Sequence, residues 1–522
     1  MKTITNMRTF IIYFAVVIAS LVLANLISRR LFFRWDLTEG GIYTLSESSK
    51  AIIAKADDRL LAKVYFSDNL PGQYANNRRY LQDMLEEFQA YSNGKFHFEF
   101  YRPEDDSELE ADAQRYGIPP MQLQAIENDR MEIKNVWMGL ALLYEDQRET
   151  IPIIQSTSGL EYQLVSAIKK LIDVDKRTVG IIANPEWQDR NKNIRDMLNQ
   201  TYNVRNVDLE QPVAPDIDLL LSNQVTDSLS IQALYNLDQY VLSGRSLLAA
   251  QSRINPELNR GFATGVNTNL LDLLAHYGIE VTGNLLADRV CSQIGVETQR
   301  GIFRMRNNVD YPFFPLIRRF NQENIMVSDL EQLRLFFVSE IASAVDSTRT
   351  ESARFEPLLY TSDNSAVIPG PGYNISHQNN PAFAMLIEPG RVAAALLTGE
   401  VRSYFQDQPA GVETELIPST LGARILVIGD GGFMADEAGG GIPANLNMFI
   451  NAVDYLVGDQ ELISIRSREV TARPLKELSD GARRALKWAN ILGPSALIVT
   501  LGLYRWRGNR KRRNLLEEIY GS

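Results

Sequence analysis

The sequence predicts an α/β protein: an extracytoplasmic body of at least two α/β units, flanked by N- and C-terminal transmembrane helices. Two apolar runs lie near the ends of the 522-residue chain, and basic residues flank both. Between them, short β-branched or aromatic runs alternate with stretches of helical apolar spacing, which is typical of α/β architecture. With 45% hydrophobic residues, the chain is long enough for about three domains of roughly 150 residues.

The first apolar run covers residues 10–27 and contains no charged side chain. Its length is close to the roughly 20 apolar residues that a membrane-spanning helix requires. Residues 1–9 would then be a cytoplasmic N-terminus. A cleaved signal peptide is the alternative, because Val22-Leu23-Ala24 has the small residues that precede a cleavage site.

The second apolar run covers residues 488–504 and is interrupted by Gly493-Pro494. A basic tail, 505–522, follows it, and basic residues next to a span mark the cytoplasmic side. Two spans would put both termini in the cytoplasm and the body across the membrane. A buried amphipathic helix of a soluble domain is the alternative interpretation.

Charge is distributed unevenly along the chain. The net charge is −11, but residues 1–34 and 481–522 together carry +12, which leaves −23 for residues 35–480. Such an acidic body argues against a nucleic-acid partner, because phosphate binding needs a basic face. The single cysteine, Cys291, excludes an intramolecular disulfide and a cysteine zinc cluster.

The first predicted α/β unit spans residues 35–172. Strands are expected at 61–66 and 96–101, separated by a stretch with apolar side chains on one helical face. A strand pair, 136–144 and 150–154, precedes a helix over 160–172. Residues 173–176 are a plausible linker to the next unit.

The second predicted α/β unit spans residues 176–470 and contains inserted loops. The predicted order is strand, helix, strand, strand, helix, strand, which suggests a mostly parallel, helix-covered sheet. The tract 345–382 is rich in Ser, Thr, Asn, Pro and Gly and is interpreted as an exposed excursion. The predicted strands are 178–183, 202–209, 217–222, 246–250 and 424–428, and the predicted helices are 194–201, 230–242 and 446–456.

No catalytic, cofactor-binding or metal-ligating residue is predicted. The chain lacks a Walker A motif and a G-x-S-x-G elbow, and Gly429-Asp430-Gly431-Gly432 is only half of a dinucleotide loop. Asp430 is interpreted as a turn or helix-cap residue. The histidines are too widely separated in sequence to suggest a shared metal; they are His97, His276 and His377.

The segment Arg34-Trp35-Asp36-Leu37-Thr38-Glu39, followed by Tyr43-Thr44-Leu45-Ser46, resembles the signature of the GldG family. Members of this family are auxiliary components of ABC transport systems linked to bacterial gliding. Two weaker similarities agree: Leu160-Glu161-Tyr162 leading to residues 167–171, and residues 425–430 with 447–459 and then 462–466. The resemblance covers most of the chain.

The resemblance implies a periplasmic body between two helices in the lipid bilayer of the bacterial inner membrane, working with an ABC permease and a separate ATPase subunit. It also implies a sheet similar to that of class I glutamine amidotransferases. Such an enzyme needs a cysteine where a strand turns into a helix, but Gln251-Ser252-Arg253 follows the strand 246–250. The expected function is therefore a non-enzymatic accessory subunit.

The signature segment is the candidate partner-docking site. Thr44 or Ser46 can also cap a helix beginning near Glu47, because a side-chain oxygen accepts the free backbone N–H groups of the first turn. This cap is the structural alternative to docking. The candidate docking residues are Asp36, Leu37, Thr38, Tyr43, Thr44, Leu45 and Ser46.

Two other functions stay open at this point. An independent solute-binding receptor would hold a ligand in the cleft between the units. An unrecognised hydrolase would use dispersed acids, such as Asp430 and Glu437, that folding brings together.

Overall fold

The computed structural model describes residues 44–459, except 69, 71–73, 75, 128–129, 158, 173–175, 185–188, 301–302, 346–351 and 413. It also describes 13–18, 20, 462–463, 465, 481, 484–488, 490–492, 499–500 and 502–509. The chain divides into a compact part, 1–471, and a C-terminal part, 472–522. In the C-terminal part, residues 484–488, 490–492 and 502–509 are helical.

The first α/β unit is built around a four-stranded sheet. Its helices are α1 (Glu47–Ala54), α2 (Asn77–Tyr91), α3 (Ser107–Arg115) and α4 (Leu160–Ile172). Its strands are β1 (Leu60–Phe66), β2 (Phe96–Tyr101), β3 (Met121–Glu127), β4 (Arg130–Val136), β5 (Met138–Tyr144) and β6 (Gln147–Ile151).

The sheet of this unit has the order β2-β1-β5-β6, and β3 and β4 form a separate hairpin. Strands β1 and β2 are parallel, whereas β1 with β5 and β5 with β6 are antiparallel. Alternate residues of β1 face opposite sides, as strand geometry requires. Val64 packs in the core with α1, α2 and α4, whereas Tyr65 packs on the other face with Ala113 of α3.

The second α/β unit begins with β7 (Thr178–Ile182), α5 (Lys192–Thr201), β8 (Asn203–Val207), β9 (Ile217–Asn223), α6 (Ile231–Leu242) and β10 (Ser246–Ala250). A long inserted region follows. It contains β11 (Ile254–Glu257), β12 (Phe262–Gly265), α7 (Asn269–Tyr277), β13 (Ile279–Asp288), β14 (Cys291–Arg300), β15 (Phe303–Ile317), β16 (Arg319–Phe320), β17 (Leu333–Arg334), β18 (Ser339–Ser343), β19 (Arg354–Tyr360), β20 (Ser365–Pro369) and β21 (Gly372–Asn374). The unit ends with β22 (Val392–Arg402), β23 (Ser419–Ile428) and α8 (Pro443–Val457).

An eight-stranded sheet forms the centre of this unit, in the order β16-β19-β22-β23-β10-β9-β7-β8. The run from β23 to β8 is parallel, and the other neighbours are antiparallel. In chain order the parallel strands read 2-1-3-4-5, an arrangement typical of doubly wound sheets. The mostly parallel sheet that the sequence predicts is therefore present.

Helices cover both faces of this sheet, and the strands supply alternate residues to two cores. Leu248 of β10 packs with Leu198 of α5 and Val453 of α8. Leu247, the preceding residue, packs on the opposite face with Leu237 of α6 and with α7. Strands buried on both faces consist of continuous apolar residues, which explains the all-apolar run 247–250.

The tract predicted as an exposed excursion, 345–382, differs from the prediction. Its strand β19 pairs with β22 inside the eight-stranded sheet, and Leu358 and Leu359 are fully buried. Residues typical of turns precede and follow this strand in the sequence, so the composition of the tract as a whole predicts a loop. Antiparallel pairing with β22 supplies the backbone hydrogen bonds of β19, so the flanking polar residues do not decide its position.

The predicted flanking transmembrane helices are contradicted. Among the described residues, no helix is long and apolar enough to cross a membrane; residues 10–12, 19, 21–27, 489, 493–498 and 501 lie outside them. Apolar composition meets one requirement for a span, but a continuous helix of about 20 residues is the other. The predicted two-pass location in the bacterial inner membrane, with cytoplasmic termini and a periplasmic body, is contradicted by the same finding.

The chain returns to the first α/β unit after α8. Leu462 and Ile465 are fully buried in the same core as Ile168 of α4. Beside this return, Lys169 Nζ lies 2.8 Å from Asp459 Oδ1. The first unit therefore contains residues that precede the second unit in the sequence and residues that follow it.

Candidate functional site

Residues 44–46 open the body. Hydrogen bonds from the backbone N–H groups of residues 45 and 46 hold this segment in place. The N–H of Leu45 donates to Glu87 Oε2 at 2.6 Å, and the N–H of Ser46 donates to Glu161 Oε1 at 2.7 Å. Both glutamates are almost completely buried, Glu87 on α2 and Glu161 on α4. Bonds to a charged acceptor are stronger than neutral ones, so this carboxylate clamp fixes where the body begins.

Ser46 is also the N-cap of α1. Its side-chain oxygen accepts the N–H of Ser49 at 3.1 Å, and the Ser49 hydroxyl donates to Glu161 Oε1 at 2.5 Å. The prediction that Thr44 or Ser46 caps this helix is confirmed at Ser46. Glu161 thus accepts from both ends of the first helical turn.

The predicted docking residues fall into two groups. Asp36, Leu37, Thr38 and Tyr43 lie outside the described residues. Thr44 is half-buried, whereas Leu45 and Ser46 are buried, at 3% and 5% exposure. Leu45 packs in the core of the first unit, so the last two residues of the motif stabilise the fold and present little surface to a partner.

Sequence reasoning did not assign Glu87 and Glu161 to this site. In the sequence Glu161 stands out only as part of the similarity at residues 160–162, and Glu87 stands among other acidic residues of α2. A glutamate at a core-facing position of an amphipathic helix was the available signal, because a buried carboxylate needs partners.

The carboxyl ends of the parallel strands form the second candidate region. In doubly wound sheets, ligands bind in the crevice beyond these ends. Here the ends of β9, β10 and β23 carry Gln224, Gln251, Ser252 and Asp430, all 7% exposed or less. The region is therefore polar and buried.

These polar groups hydrogen-bond one another. Gln224 bonds the backbone of Ser252 twice, through Nε2 to the carbonyl at 3.0 Å and through Oε1 from the N–H at 2.8 Å. Gln251 bonds the backbone of Val225 in the same way. The Ser252 hydroxyl donates to the carbonyl of Phe337 at 3.1 Å. At the ends of β9, β10 and β23 the crevice is thus filled by the side chains of the protein itself.

Asp430 is completely buried at the same edge of the sheet. Its Oδ2 accepts the N–H of Phe336 at 2.9 Å, and its Oδ1 accepts the N–H of Gly432 at 2.8 Å. The second bond closes a turn of the Asx type, in agreement with the turn predicted from the sequence. Burial raises the pKa of Asp430 to about 7, against the effect of the two backbone N–H groups.

The glycine-rich loop after β23 closes over this edge. A Cβ on Gly431 would lie 1.8 Å from Gln224 Oε1, and one on Gly439 would lie 2.3 Å from the carbonyl oxygen of Phe433. Asp436 of the same loop accepts the N–H groups of Lys192 and Asn193 at 2.9 and 3.0 Å, at the start of α5. The glycines permit this close packing.

The remaining reactive residues are dispersed. His97 lies on β2, His276 on α7 and His377 after β21, and burial raises the pKa of Cys291 to about 11. Glu437, the other acid considered for hydrolysis, is on the surface and pairs with Arg190. Within the described part of the chain, no three His, Cys, Asp or Glu side chains could hold a metal ion.

An open cleft of about 380 Å³ lies in the first unit, at the carboxyl ends of the parallel pair β1 and β2. Asp68 and Arg102 line it and form an ion pair at 2.9 Å, and Asp68 also pairs with Arg78. Glu104 lines it too and accepts the Ser67 hydroxyl at 3.0 Å. Acidic and basic groups alternate around the cleft.

The family model described as "ABC-type uncharacterized transport system" matches residues 176–462, more than half of the chain. The chain belongs to this family. The ABC-type transport family assignment covers the whole eight-stranded sheet and supports an accessory role in ABC transport. A second family model, a domain of unknown function (DUF7088), matches residues 39–143 of the first unit.

Three further matches each cover more than half of the chain. An uncharacterized protein of Borreliella burgdorferi is 23% identical over 500 residues, which cover 92% of this chain and 94% of that protein. Among solved structures, the mmIFT52 N-terminal domain is similar over 53% of this chain and 97% of its own, with 12% identity and a TM-score of 0.32. The exo-beta-1,4-mannosidase Op5Man5 from Opitutaceae bacterium strain TAV5 covers 78% of this chain and 51% of its own, with 10% identity and a TM-score of 0.22. Neither TM-score is high enough to support an argument about function.

Proposed function

We propose that this chain is a non-enzymatic accessory subunit of an ABC-type transport system of the GldG kind. It works beside a permease and a separate ATPase subunit. Membership of the transport family supports the general role. The lack of a Walker A motif in the sequence supports a separate ATPase.

The observation that carries the proposal is that side chains of the protein fill the crevice at the carboxyl ends of β9, β10 and β23. An enzyme or a solute receptor on such a sheet leaves this crevice open for its ligand. Here Gln224 bonds the backbone of Ser252, Gln251 bonds the backbone of Val225, and Asp430 is fully enclosed. Opening the crevice would break several buried hydrogen bonds, each worth about 1 kcal/mol or more. A rigid scaffold for protein contacts fits this arrangement.

The docking part of the proposal concerns the start of the signature segment. Leu45 and Ser46 are used by the fold, so docking would fall to Asp36, Leu37, Thr38 and Tyr43. These residues precede the carboxylate clamp directly in the sequence, and the clamp would anchor them to the rigid first unit.

The test is affinity purification of the tagged full-length chain from its own cells in mild detergent, with identification of the proteins that co-purify. A permease and an ATPase should be retained. The variant D36A/L37A/T38A should lose both without loss of thermal stability. The matched control, S46A, removes the cap and should lower stability while it keeps the partners. Failure of the native chain to retain either protein, while an unrelated ABC transporter stays intact in the same extract, would refute the proposal.

A further inference from the structure

A small cavity lies at the carboxyl ends of β7 and β8, at the same edge of the main sheet as the filled part of the crevice. It has a volume of about 20 Å³ and is lined by residues 181–184, Asn191, Arg195 and Asn206. It is termed the donor pocket. About 10–15 Å³ is enough for one water molecule, so the donor pocket can enclose one small polar group but not a whole nucleotide or sugar.

Two asparagine side chains hold Arg195 of α5 in place at this cavity. Its Nε donates to Asn191 Oδ1 at 2.9 Å, and its Nη2 donates to Asn206 Oδ1 at 2.7 Å. Both amide groups are thereby oriented, because a guanidinium only donates hydrogen bonds and must face the amide oxygen. Each NH₂ group is therefore left for an acceptor other than Arg195.

The amide nitrogen of Asn191 has no such acceptor in the part of the chain that the structure describes. Asn191 is only 2% exposed, and burial of a polar group without a hydrogen-bond partner is unfavourable. The start of α5 itself is already used by the fold, because Asp436 accepts the N–H groups of Lys192 and Asn193. The signal for a ligand is therefore the buried Asn191 donor and not the end of the helix.

The charge of Arg195 favours an anion as that ligand. Its two asparagine partners are neutral, so they satisfy hydrogen bonds of the guanidinium without compensating its charge. No carboxylate of the described residues forms an ion pair with Arg195, which is half-buried, and a partly buried charge is screened less than an exposed one. Other arginines next to β7, β8 and α5 do pair with carboxylates; they are Arg177, Arg190 and Arg205.

We propose that the donor pocket binds one oxyanion group, a carboxylate or a phosphate, of a small solute. Arg195 supplies the positive charge and planar N–H donors that match two oxygens of such a group, and Asn191 adds a buried donor. The position agrees with doubly wound sheets, which bind ligands beyond the carboxyl ends of their strands. A solute receptor encloses most of its ligand, whereas this cavity takes only one group, so the site goes beyond the proposed accessory role without replacing it.

The test is isothermal titration calorimetry of the full-length chain in a non-ionic detergent. Sodium acetate and inorganic phosphate are the two probes, and sodium chloride keeps the ionic strength constant, because salt screens exposed charges. At least one probe should give saturable heat that fits one site per chain, with a dissociation constant of about 1 mM. Saturation by acetate alone would assign a carboxylate solute, and saturation by phosphate alone would assign a phosphorylated one.

Two substitutions locate the binding in the donor pocket. Asn191→Asp keeps the oxygen that accepts Arg195 Nε, but it replaces the NH₂ donor with a second oxygen and adds a negative charge. Arg195→Gln removes the positive charge. Each should weaken binding by at least about tenfold. The matched control, Gln200→Glu, makes the same charge change at an exposed position of the same helix and should keep the dissociation constant within about twofold.

Circular dichroism should show that each variant is folded. Asn191→Asp keeps the bond that holds Arg195, so it tests the site even if Arg195→Gln does not fold. The absence of saturable heat with both probes up to about 50 mM, well above the expected dissociation constant, would overturn the proposal. Binding that persists in folded Asn191→Asp or Arg195→Gln would overturn it too, because the anion would then lie elsewhere on the chain.

Discussion

Replacing Asp430 with asparagine tests the buried edge of the main sheet. Asp430 is fully buried at the end of β23, and both of its carboxylate oxygens accept backbone N–H groups, from Phe336 and Gly432. Burial in this site raises its pKa from 3.8 to about 7. An asparagine keeps the size of the side chain but cannot ionise. Its amide oxygen can accept one of the two backbone N–H groups, whereas its NH₂ group is a donor and cannot accept the other.

The pH dependence has a definite sign. Below about pH 4 the carboxyl is protonated in both states, and between about pH 4 and 7 only the unfolded chain releases the proton. The free energy of unfolding of the native chain therefore falls across this window and is level above it. A pKa difference of about three units corresponds to a loss of about 4 kcal/mol.

The asparagine variant should lack this contribution. Near pH 4 it should be less stable than the native chain by about 1–3 kcal/mol, because one backbone N–H loses its acceptor. Near pH 8 the difference should change sign, because the native chain has then lost about 4 kcal/mol that the variant never had. Urea unfolding followed by circular dichroism at several pH values measures both chains, and their difference isolates Asp430 because all other titrating groups are shared. A difference that is independent of pH would refute the reasoning.

Three further substitutions test other parts of the fold by urea unfolding. Glu161→Ala removes the acceptor of the Ser46 N–H and the Ser49 hydroxyl and should cost about 2–4 kcal/mol; Glu161→Gln should cost less, and equal costs would argue against the clamp. Gly431→Ala should cost about 1–3 kcal/mol, because its Cβ displaces Gln224 from two hydrogen bonds; the same change at Gly422, where a Cβ meets no atom nearer than 3.7 Å and φ is likewise not positive, is the matched control and should cost less. Leu462→Ala should cost about 2–5 kcal/mol; an unchanged stability would mean that the returning segment does not contribute to the first core.

The sequence determined most of the local structure. Helical spacing and β-branched runs placed the strand Phe96–Tyr101, the helix Leu160–Ile172 and the strand Ser246–Ala250 with the bounds that the structure has. An element that buries one face has apolar residues at regular intervals, and an element that buries both faces is apolar throughout. Either pattern can be detected within the sequence of the element itself. The mixed α/β content was predicted for the same reason, and the cap at Ser46 because a serine oxygen accepts the free backbone N–H groups of a first helical turn. Of the motif residues, Leu45 is fixed by burial, an outcome that its spacing alone did not indicate.

Only the tertiary structure decided how these elements combine. Strand β19 enters the main sheet from a tract whose composition predicts an exposed loop, because β22 supplies its hydrogen-bond partners from more than thirty residues away. Glu87 accepts a hydrogen bond from residue 45, which is 42 positions away in the sequence. Glu161 accepts one from residue 46, which is 115 positions away. The predicted membrane helices rested on composition, which does not report whether a helix is continuous. The pairing of β19 and the bonds of the two glutamates depend on contacts between distant parts of the chain, and no local pattern in the sequence encodes them.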